Sequence, residues 1–267
     1  MKEMKKKIYY GWIMSLVLWC IYVVVLGFPL YGGAVINSQL KTLGLLSTSL
    51  LGFTTGINPL IQGFMAPITA WILEKTSYRF AYLLGLGILL VGFLMLALLP
   101  YSNLVFVVAF GIFVSIGMGI SGNYLVQTTL NNWFYEKKTM AFAISLSGGG
   151  MTGFILPPLM AKLIGGENWK WGWWVSVGAA VFAIILSYVF IKNKPEDLGQ
   201  QISDEGGANG KEKLLVRYLR SRGREYSLKE AIRAPLYYGI LINSIARYMS
   251  YYGVISHLLI HTQQRGL

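Results

Sequence analysis

The residue best suited to binding chemistry is Arg247, the one charged residue of an otherwise apolar stretch near the end of the chain. It stands about eleven residues into that stretch, roughly 16 Å along a helix, which is near the middle of a bilayer. An arginine can hold a carboxylate through two parallel hydrogen bonds. Asn243 and Tyr251, four residues before and after it, would share its helix face. This stripe predicts an anion-binding site, and an arginine that bonds to backbone or supports a gate fits the same pattern.

A second polar pair, Asn123 and Gln127, lies four residues apart in another apolar stretch. These amides could bind substrate, or they could hold helices together at about 0.6 kcal/mol per hydrogen bond. Tyr22 and Tyr31 in the first apolar stretch leave a similar choice between lining a cavity and packing or anchoring at the membrane interface.

The other reactive residues argue against catalysis and against a metal site. One cysteine, Cys20, and two histidines, His257 and His261, cannot build a thiolate cluster. All eleven acids fall in predicted loops or tails, so no buried carboxylate is available for a proton relay or for acid–base chemistry. The chain has no Gly-x-x-x-x-Gly-Lys-Ser/Thr phosphate loop, which excludes an ATP-driven pump subunit with its own nucleotide domain. We therefore expect a protein that is not an enzyme and that needs no cofactor.

Membrane-spanning helices must position these side chains. Of the 267 residues, 55% are hydrophobic and 13% are charged, whereas a soluble domain has about 25% charged residues. Seven stretches reach about the 20 apolar residues that a bilayer requires. They are continuously apolar and do not alternate with period two, which favours helices over barrel strands. The predicted spans are 8–36, 48–73, 80–99, 104–126, 140–164, 171–191 and 236–260.

The positions of lysine and arginine set the orientation of these spans. With a cytoplasmic N-terminus, the inside segments hold eighteen basic residues, ten of them in 192–233, and the outside segments hold four. This bias predicts a multi-pass protein of the cell membrane whose N-terminus is cytoplasmic. The net charge of +12 would then face the cytoplasm and anionic lipid headgroups, so we expect the bilayer and no nucleic acid as a partner.

The predicted organisation is a six-span bundle at 1–191, a cytoplasmic linker at 192–235 and a seventh span in 236–267. The linker contains either an amphipathic helix on the inner leaflet or a solvated, partly disordered segment. Ser227 and Glu230 then make a capping box for a short helix that Pro235 stops.

Small residues recur at a spacing that allows helices to pack closely. Gly52 and Gly56 are four residues apart, as are Ser145, Gly149 and Gly153. Such spacing lets helix backbones approach each other in lipid, and it is also common in any polytopic protein.

The turn between the second and third spans matches a known signature, Gly-x-x-x-Asp-Arg-x-Gly-x-Arg. Glu74, Lys75 and Arg79 keep its acid, its base and its final arginine, while Ala70 and Ser77 replace its two glycines. Further segments add to this match: Tyr10-Gly11-Trp12, Asn132-Trp133-Phe134, Lys137-Lys138 with Ala141, the glycines and Pro157-Pro158 of the fifth span, and Pro195-Glu196-Asp197-Leu198-Gly199.

Together these segments resemble the major facilitator superfamily, and within it the branch of monocarboxylate transporters and oxalate/formate antiporters. The resemblance implies an all-α membrane fold, with a six-helix bundle, a long cytoplasmic loop and one further transmembrane helix. It also implies secondary active transport of small organic anions by alternating access. Spans one, four and seven would line the pathway, and a cytoplasmic charge network would bias the inward and outward states.

The resemblance assigns two sets of residues. The substrate would meet Arg247, Asn243, Tyr251, Asn123, Gln127, Tyr22 and Tyr31. The conformational network would comprise Glu74, Lys75, Arg79, Lys137 and Lys138, although the last two also fit plain positive-inside loop charge.

The chain is short for this superfamily, because a complete member has two six-span halves and seven spans are predicted here. The chain is expected to be the first half plus one helix, truncated at its C-terminus. The alternatives are an inactive fragment and a half-size membrane protein that works only as a homodimer or as a channel.

Overall fold

A computed structural model describes residues 9–164 and 168–200, together with positions 230, 233, 235, 237–239, 242, 243 and 246. The chain divides into two compact units, residues 1–213 and 214–267. In the second unit the described positions are helical, and the rings of Tyr237 and Tyr238 meet edge to face with centroids 5.5 Å apart. The predicted boundaries at 191 and 235 stay predictions.

Six long helices make up the described part of the first unit. They are α1 (Tyr10–Thr42), α2 (Thr48–Lys75), α3 (Tyr78–Leu98), α4 (Asn103–Trp133), α5 (Lys138–Leu163) and α6 (Lys170–Phe190). α1 is π-helical over Val23–Gly32, α4 is π-helical over Val107–Val114, and a 3-10 turn at Pro195–Leu198 follows α6. The described residues include no strand, and the all-α prediction is confirmed.

Serine side chains fix the starts of α2, α3 and α4. Ser47, Ser77 and Ser102 each accept a hydrogen bond from the amide three residues later, at 3.1 to 3.2 Å. Each bond satisfies an amide that has no carbonyl partner in the first helical turn. Only Thr76 and Ser77 separate α2 from α3, so the chain reverses direction there.

The six helices form two similar sets of three. α1, α2 and α3 contain 33, 28 and 21 residues, and α4, α5 and α6 contain 31, 26 and 21. The contacts correspond as well, because α1 packs on α5 as α4 packs on α2, and α3 packs on α4 as α6 packs on α1. Successive helices alternate in direction, and three of them precede α4. The second set therefore starts on the side of the bundle opposite to the start of α1. The bundle is therefore an inverted repeat of two three-helix units.

The first six predicted spans each correspond to one helix. α1 continues past residue 36 to Thr42 and α4 continues past 126 to Trp133, because the helical backbone extends into polar sequence where the apolar stretch has ended. Among the described residues, the helices long and apolar enough to cross a membrane are α1, α3, α4, α5 and α6. α2 is not among them, since threonine, asparagine and glutamine interrupt its apolar residues. The seventh predicted span lies outside the described residues except for scattered positions.

α5 packs closely on α1 through small residues. Ser145 Oγ donates a hydrogen bond to the Ser15 carbonyl oxygen at 3.0 Å. A Cβ placed on Gly148 would lie 2.8 Å from the Trp19 carbonyl oxygen. The backbones of α1 and α5 therefore approach each other closely, because only small residues of α5 lie at this contact.

The predicted small-residue packing is confirmed in α5 and does not appear in α2. Gly149 and Gly153 meet side chains of α1, and Ser145 bonds to its backbone. Around Gly52 and Gly56, no heavy atom of the described residues lies within 4 Å of an added Cβ. Spacing alone does not decide which small residues meet a partner helix.

Candidate functional site

Asn123 and Gln127 lie on α4 directly after a break in the helix. Gly122 has a non-helical ψ of −144°, and a Cβ there would overlap the Met118 carbonyl oxygen. The helix resumes at Asn123, whose side-chain oxygen accepts a hydrogen bond from Gln127 Nε2 at 2.8 Å. Asn123 is exposed and Gln127 is half-buried. The two amides share one helix face as predicted, and their contact with substrate stays a prediction.

A second amide pair lies on α2 and was not identified from the sequence. Gln62 Nε2 donates a hydrogen bond to Asn58 Oδ1, and Asn58 Nδ2 lies 3.9 Å from Met118 Sδ of α4. Both side chains are half-buried. Asn58 and Gln62 have the same four-residue spacing as Asn123 and Gln127, so the sequence contained the signal that would have found them.

α2 and α4 run side by side in the same direction. A Cβ added at Gly111 would lie 3.6 Å from Thr54, and one added at Gly119 would lie 3.1 Å from the Cα of Gln62 and 2.6 Å from the Cβ of Met65. Residue numbers therefore increase together along the two helices. Gly119 brings the backbone of α4 up to α2 at Gln62.

Tyr22 and Tyr31 lie against α5. A Cβ on Gly149 would be 2.9 Å from Tyr22 Cε1, and one on Gly153 would be 3.0 Å from Tyr31 Cε1. Tyr22 is buried and Tyr31 is half-buried. These contacts favour a packing role for both rings, and a role in lining a cavity stays a prediction.

The predicted anion stripe falls largely beyond the part of the chain that the structure describes. Arg247 and Tyr251 lie outside the described residues, and Asn243 is one of the helical positions of the second unit. The role of this stripe stays a prediction.

Two of the predicted network residues contact aromatic rings. The Lys75 ammonium lies 4.3 Å from the centroid of the Trp71 ring. Arg79 Nε donates a hydrogen bond to the Ile191 carbonyl oxygen at 3.0 Å, and its guanidinium lies 5.8 Å from the Tyr188 ring centroid. Arg79 thus ties the start of α3 to the end of α6.

The other network residues lie at helix ends on the same side of the bundle. Glu74 is exposed in the last turn of α2, Lys137 directly precedes α5, and Lys138 is the first residue of that helix. Within the described part of the chain, no hydrogen bond joins Glu74 to Lys75 or Arg79. The structure brings the five residues to one end of the bundle, and their conformational role stays a prediction.

An aromatic cluster joins the start of α1 to the end of α4. Tyr9 Oη donates a hydrogen bond to the Trp133 carbonyl oxygen. The rings of Tyr10 and Trp133 are 5.6 Å apart, and those of Trp12 and Phe134 are 5.0 Å apart, between centroids. We call these five residues the aromatic cluster.

Hydrogen bonds extend this junction to α3 and to the segment after α6. Asn132 Nδ2 donates to Tyr78 Oη at 2.8 Å, and the Tyr78 amide donates to Asn193 Oδ1 at 3.0 Å. The Tyr10 amide donates to Gln200 Oε1 at 2.9 Å. The helix ends on this side and the beginning of the long loop therefore form one connected structure.

The 3-10 turn after α6 positions Gln200. The Lys194 amide donates to Asp197 Oδ2 at 3.2 Å, and Pro195 is buried. Gly199 closes the turn with a φ of 67°, in the left-handed region that glycine adopts most readily. This reversal directs the chain back toward the start of α1.

A cleft of about 150 Å³ opens beside this turn. It is lined by Ser77, Arg79, Ile191, Lys192, Asn193 and Asp197. Ligand pockets commonly measure about 300 to 1,000 Å³, so this cleft is small, and its lining carries charges of both signs. We assign no ligand to it.

Comparison with known proteins places this arrangement in a family. A family model described as the Major Facilitator Superfamily matches residues 17–267, which takes in most of α1 and all of α2 to α6. No curated protein matches the chain.

Proposed function

The chain belongs to the major facilitator superfamily and is a multi-pass membrane transport protein, and from this premise we propose that it carries small organic anions by alternating access. The substrates would be of the monocarboxylate or of the oxalate and formate type. Transport would be secondary, without a catalytic step and without a cofactor.

The proposed substrate class depends chiefly on the aromatic cluster. Segments 10–12 and 132–134, on which the resemblance to the monocarboxylate and oxalate/formate branch depends, contact each other there through Trp12 with Phe134 and Tyr10 with Trp133. A third such segment, 195–199, directly precedes Gln200. The side chain of Gln200 accepts a hydrogen bond from the Tyr10 amide. The three segments are parts of one structural element, which supports their descent from this branch.

The side chains within the helices also suit an anion better than a cation. In α1 to α6 the one carboxylate is Glu74, which lies in the last turn of α2. The polar groups deeper in the bundle are amides and hydroxyls, which donate hydrogen bonds to a carboxylate without binding a cation tightly. Arg247 of the predicted seventh span would then supply the charge that holds the anion.

The basic residues at one end of the bundle support a cytoplasmic N-terminus in the cell membrane. The start of α1, the end of α2 and the starts of α3 and α5 lie on the same side, and with them Lys75, Arg79, Lys137 and Lys138. Basic residues are retained on the cytoplasmic side of membrane proteins. Contacts of these side chains that form in one state only would bias the inward and outward populations.

Counterflow in proteoliposomes tests the proposal. Vesicles containing the purified chain are loaded with unlabelled anion, and uptake of labelled oxalate, formate or lactate is followed. We expect saturable exchange, which Arg247→Gln lowers by roughly ten-fold or more, because a hydrogen-bonded charge is lost. Arg265→Gln, which removes a predicted outside arginine, is the matched control.

The alternatives give other results in the same assay. Flux that rises linearly with concentration and shows no counterflow indicates a channel. Exchange that appears only in cross-linked dimers indicates a half-size protein that completes its pathway by pairing. Absence of uptake for all three anions contradicts the proposal and indicates an inactive fragment.

A further inference from the structure

We propose that Asn58 and Gln62 of α2 continue the amide pair of α4, Asn123 and Gln127, as one water-facing strip that binds the second polar group of the substrate. We call these four residues the amide strip. The substrate's identity rests on the proposed function, whereas the residues and the part of the substrate that they take go beyond it.

The depth of the α2 pair is the first reason. α2 contains 28 residues, and Asn58 and Gln62 stand about 15 and 21 Å from its first residue at 1.5 Å per residue. Gln62 therefore lies near the middle of the helix. An amide at such depth that faced hydrocarbon would leave its donors and acceptors without partners, which is strongly unfavourable.

The hydrogen bonds within the two pairs do not use all of the amide donors and acceptors. Each pair uses one glutamine N–H and one asparagine oxygen. A carboxamide offers two donors and a carbonyl oxygen with two lone pairs. Among the described residues, the side-chain oxygens of Gln62 and Gln127 accept no hydrogen bond, and Asn123 Nδ2 donates none. These groups are available to water or to a ligand.

The other side of α2 is exposed and apolar. Leu60 and Phe64 are 63% and 72% exposed, and both are apolar. They lie two residues from Gln62, which places them on different faces of the helix from its amide. α2 thus has one apolar surface and another that carries hydrogen-bonding amides.

The α2 pair lies against α4 just before the α4 pair begins. Gly119 brings the α4 backbone to within van der Waals distance of Gln62, and Asn58 reaches Met118. Asn123 comes four residues after Gly119 and directly after the break at Gly122. Since α2 and α4 run in the same direction up to this break, the α2 pair precedes the α4 pair along the bundle.

The chemistry of the strip points to a hydroxyl or a second carboxyl group. Its amide N–H groups can donate to either, and its free carbonyl oxygens can accept from a hydroxyl. A site built to hydrogen-bond a hydroxyl rejects an analogue that lacks it, because its own polar groups would lose their partners. The strip should therefore favour lactate over propionate and oxalate over formate.

Labelling of single cysteines tests whether the strip faces water. Cys20 is the one cysteine of the chain, so Cys20→Ser gives a background for Gln62→Cys and Asn58→Cys. Phe64→Cys, two residues away on α2, is the matched control. In proteoliposomes a water-soluble maleimide should label Gln62→Cys or Asn58→Cys at least ten-fold faster than Phe64→Cys. Equal rates at all three positions overturn the proposal.

Protection from labelling tests binding. Lactate should slow the labelling of the strip cysteine at roughly ten-fold lower concentration than propionate, or oxalate than formate, as loss of one hydrogen bond to a charged partner implies. Asn123→Cys serves as a second reporter where a variant on α2 does not fold. Absence of protection by all four anions overturns the proposal, as does equal protection within both pairs.

These readouts separate this inference from the proposed function. Labelling and protection need no net transport, so selective protection without counterflow supports the strip and contradicts the carrier. Counterflow with an unprotected, unlabelled strip supports the carrier and contradicts the strip.

Discussion

Replacing Gly148 by alanine should push α1 and α5 apart. The new Cβ would lie 2.8 Å from the Trp19 carbonyl oxygen, which belongs to the backbone of α1 and cannot turn away as a side chain would. Either the helices separate by a few tenths of an ångström or the contact stays compressed. Overpacking of this kind costs about 1 to 3 kcal/mol.

Gly150→Ala is the matched control for this change. Gly150 belongs to the same helix two residues later, and no described heavy atom lies within 4 Å of a Cβ there. Both substitutions gain the same helix propensity, about 1 kcal/mol, because alanine replaces glycine inside a helix. The difference between the two variants therefore measures the packing contact alone.

The measurement is the thermal unfolding midpoint in detergent, followed by tryptophan emission. At about 2 to 4 °C per kcal/mol for a protein of this size, Gly148→Ala should unfold about 2 to 12 °C below Gly150→Ala. Equal midpoints would refute the reasoning, because the close approach of α1 and α5 would then have no energetic consequence.

Two further substitutions probe single positions. Gly122→Ala would place a Cβ on the Met118 carbonyl oxygen, so we expect the same melting assay to show a loss of several degrees, and an unchanged midpoint would speak against the break in α4. Gln200→Leu removes the acceptor of the Tyr10 amide, worth about 1 kcal/mol, so deuterium uptake at the start of α1 should rise about five-fold. Gln201→Leu is its control, and equal uptake in the two variants would contradict the contact.

Helices were predictable from the sequence because the membrane requirement is local. An apolar stretch of sufficient length must satisfy its own backbone, and all of the first six stretches are helical. Helix ends were less predictable. The apolar stretch of α1 ends before Asn37 and Ser38, but the hydrogen-bonded helical backbone continues through these polar residues to Thr42.

Side-chain partners depended on tertiary packing and could not be read from spacing. Gly52 and Gly149 occur in similar small-residue patterns, and only the second meets another helix within the described residues. The contact of Tyr31 with Gly153 of α5 likewise depends on how the two helices pack, which the spacing along α1 does not indicate. Asn58 and Gln62 differ from these cases, because their four-residue spacing in the sequence is enough to indicate the pair.

The turn at Pro195–Leu198 has a consequence for where the six-helix unit can be cut from the rest of the chain. A shortened protein that ended at residue 191 would lose Asn193 and Gln200, and the amides of Tyr78 and Tyr10 would lose their acceptors. One that ended at residue 200 would keep both hydrogen bonds. For expression of the first bundle alone, or for fusion of a reporter to it, the junction belongs after Gln200.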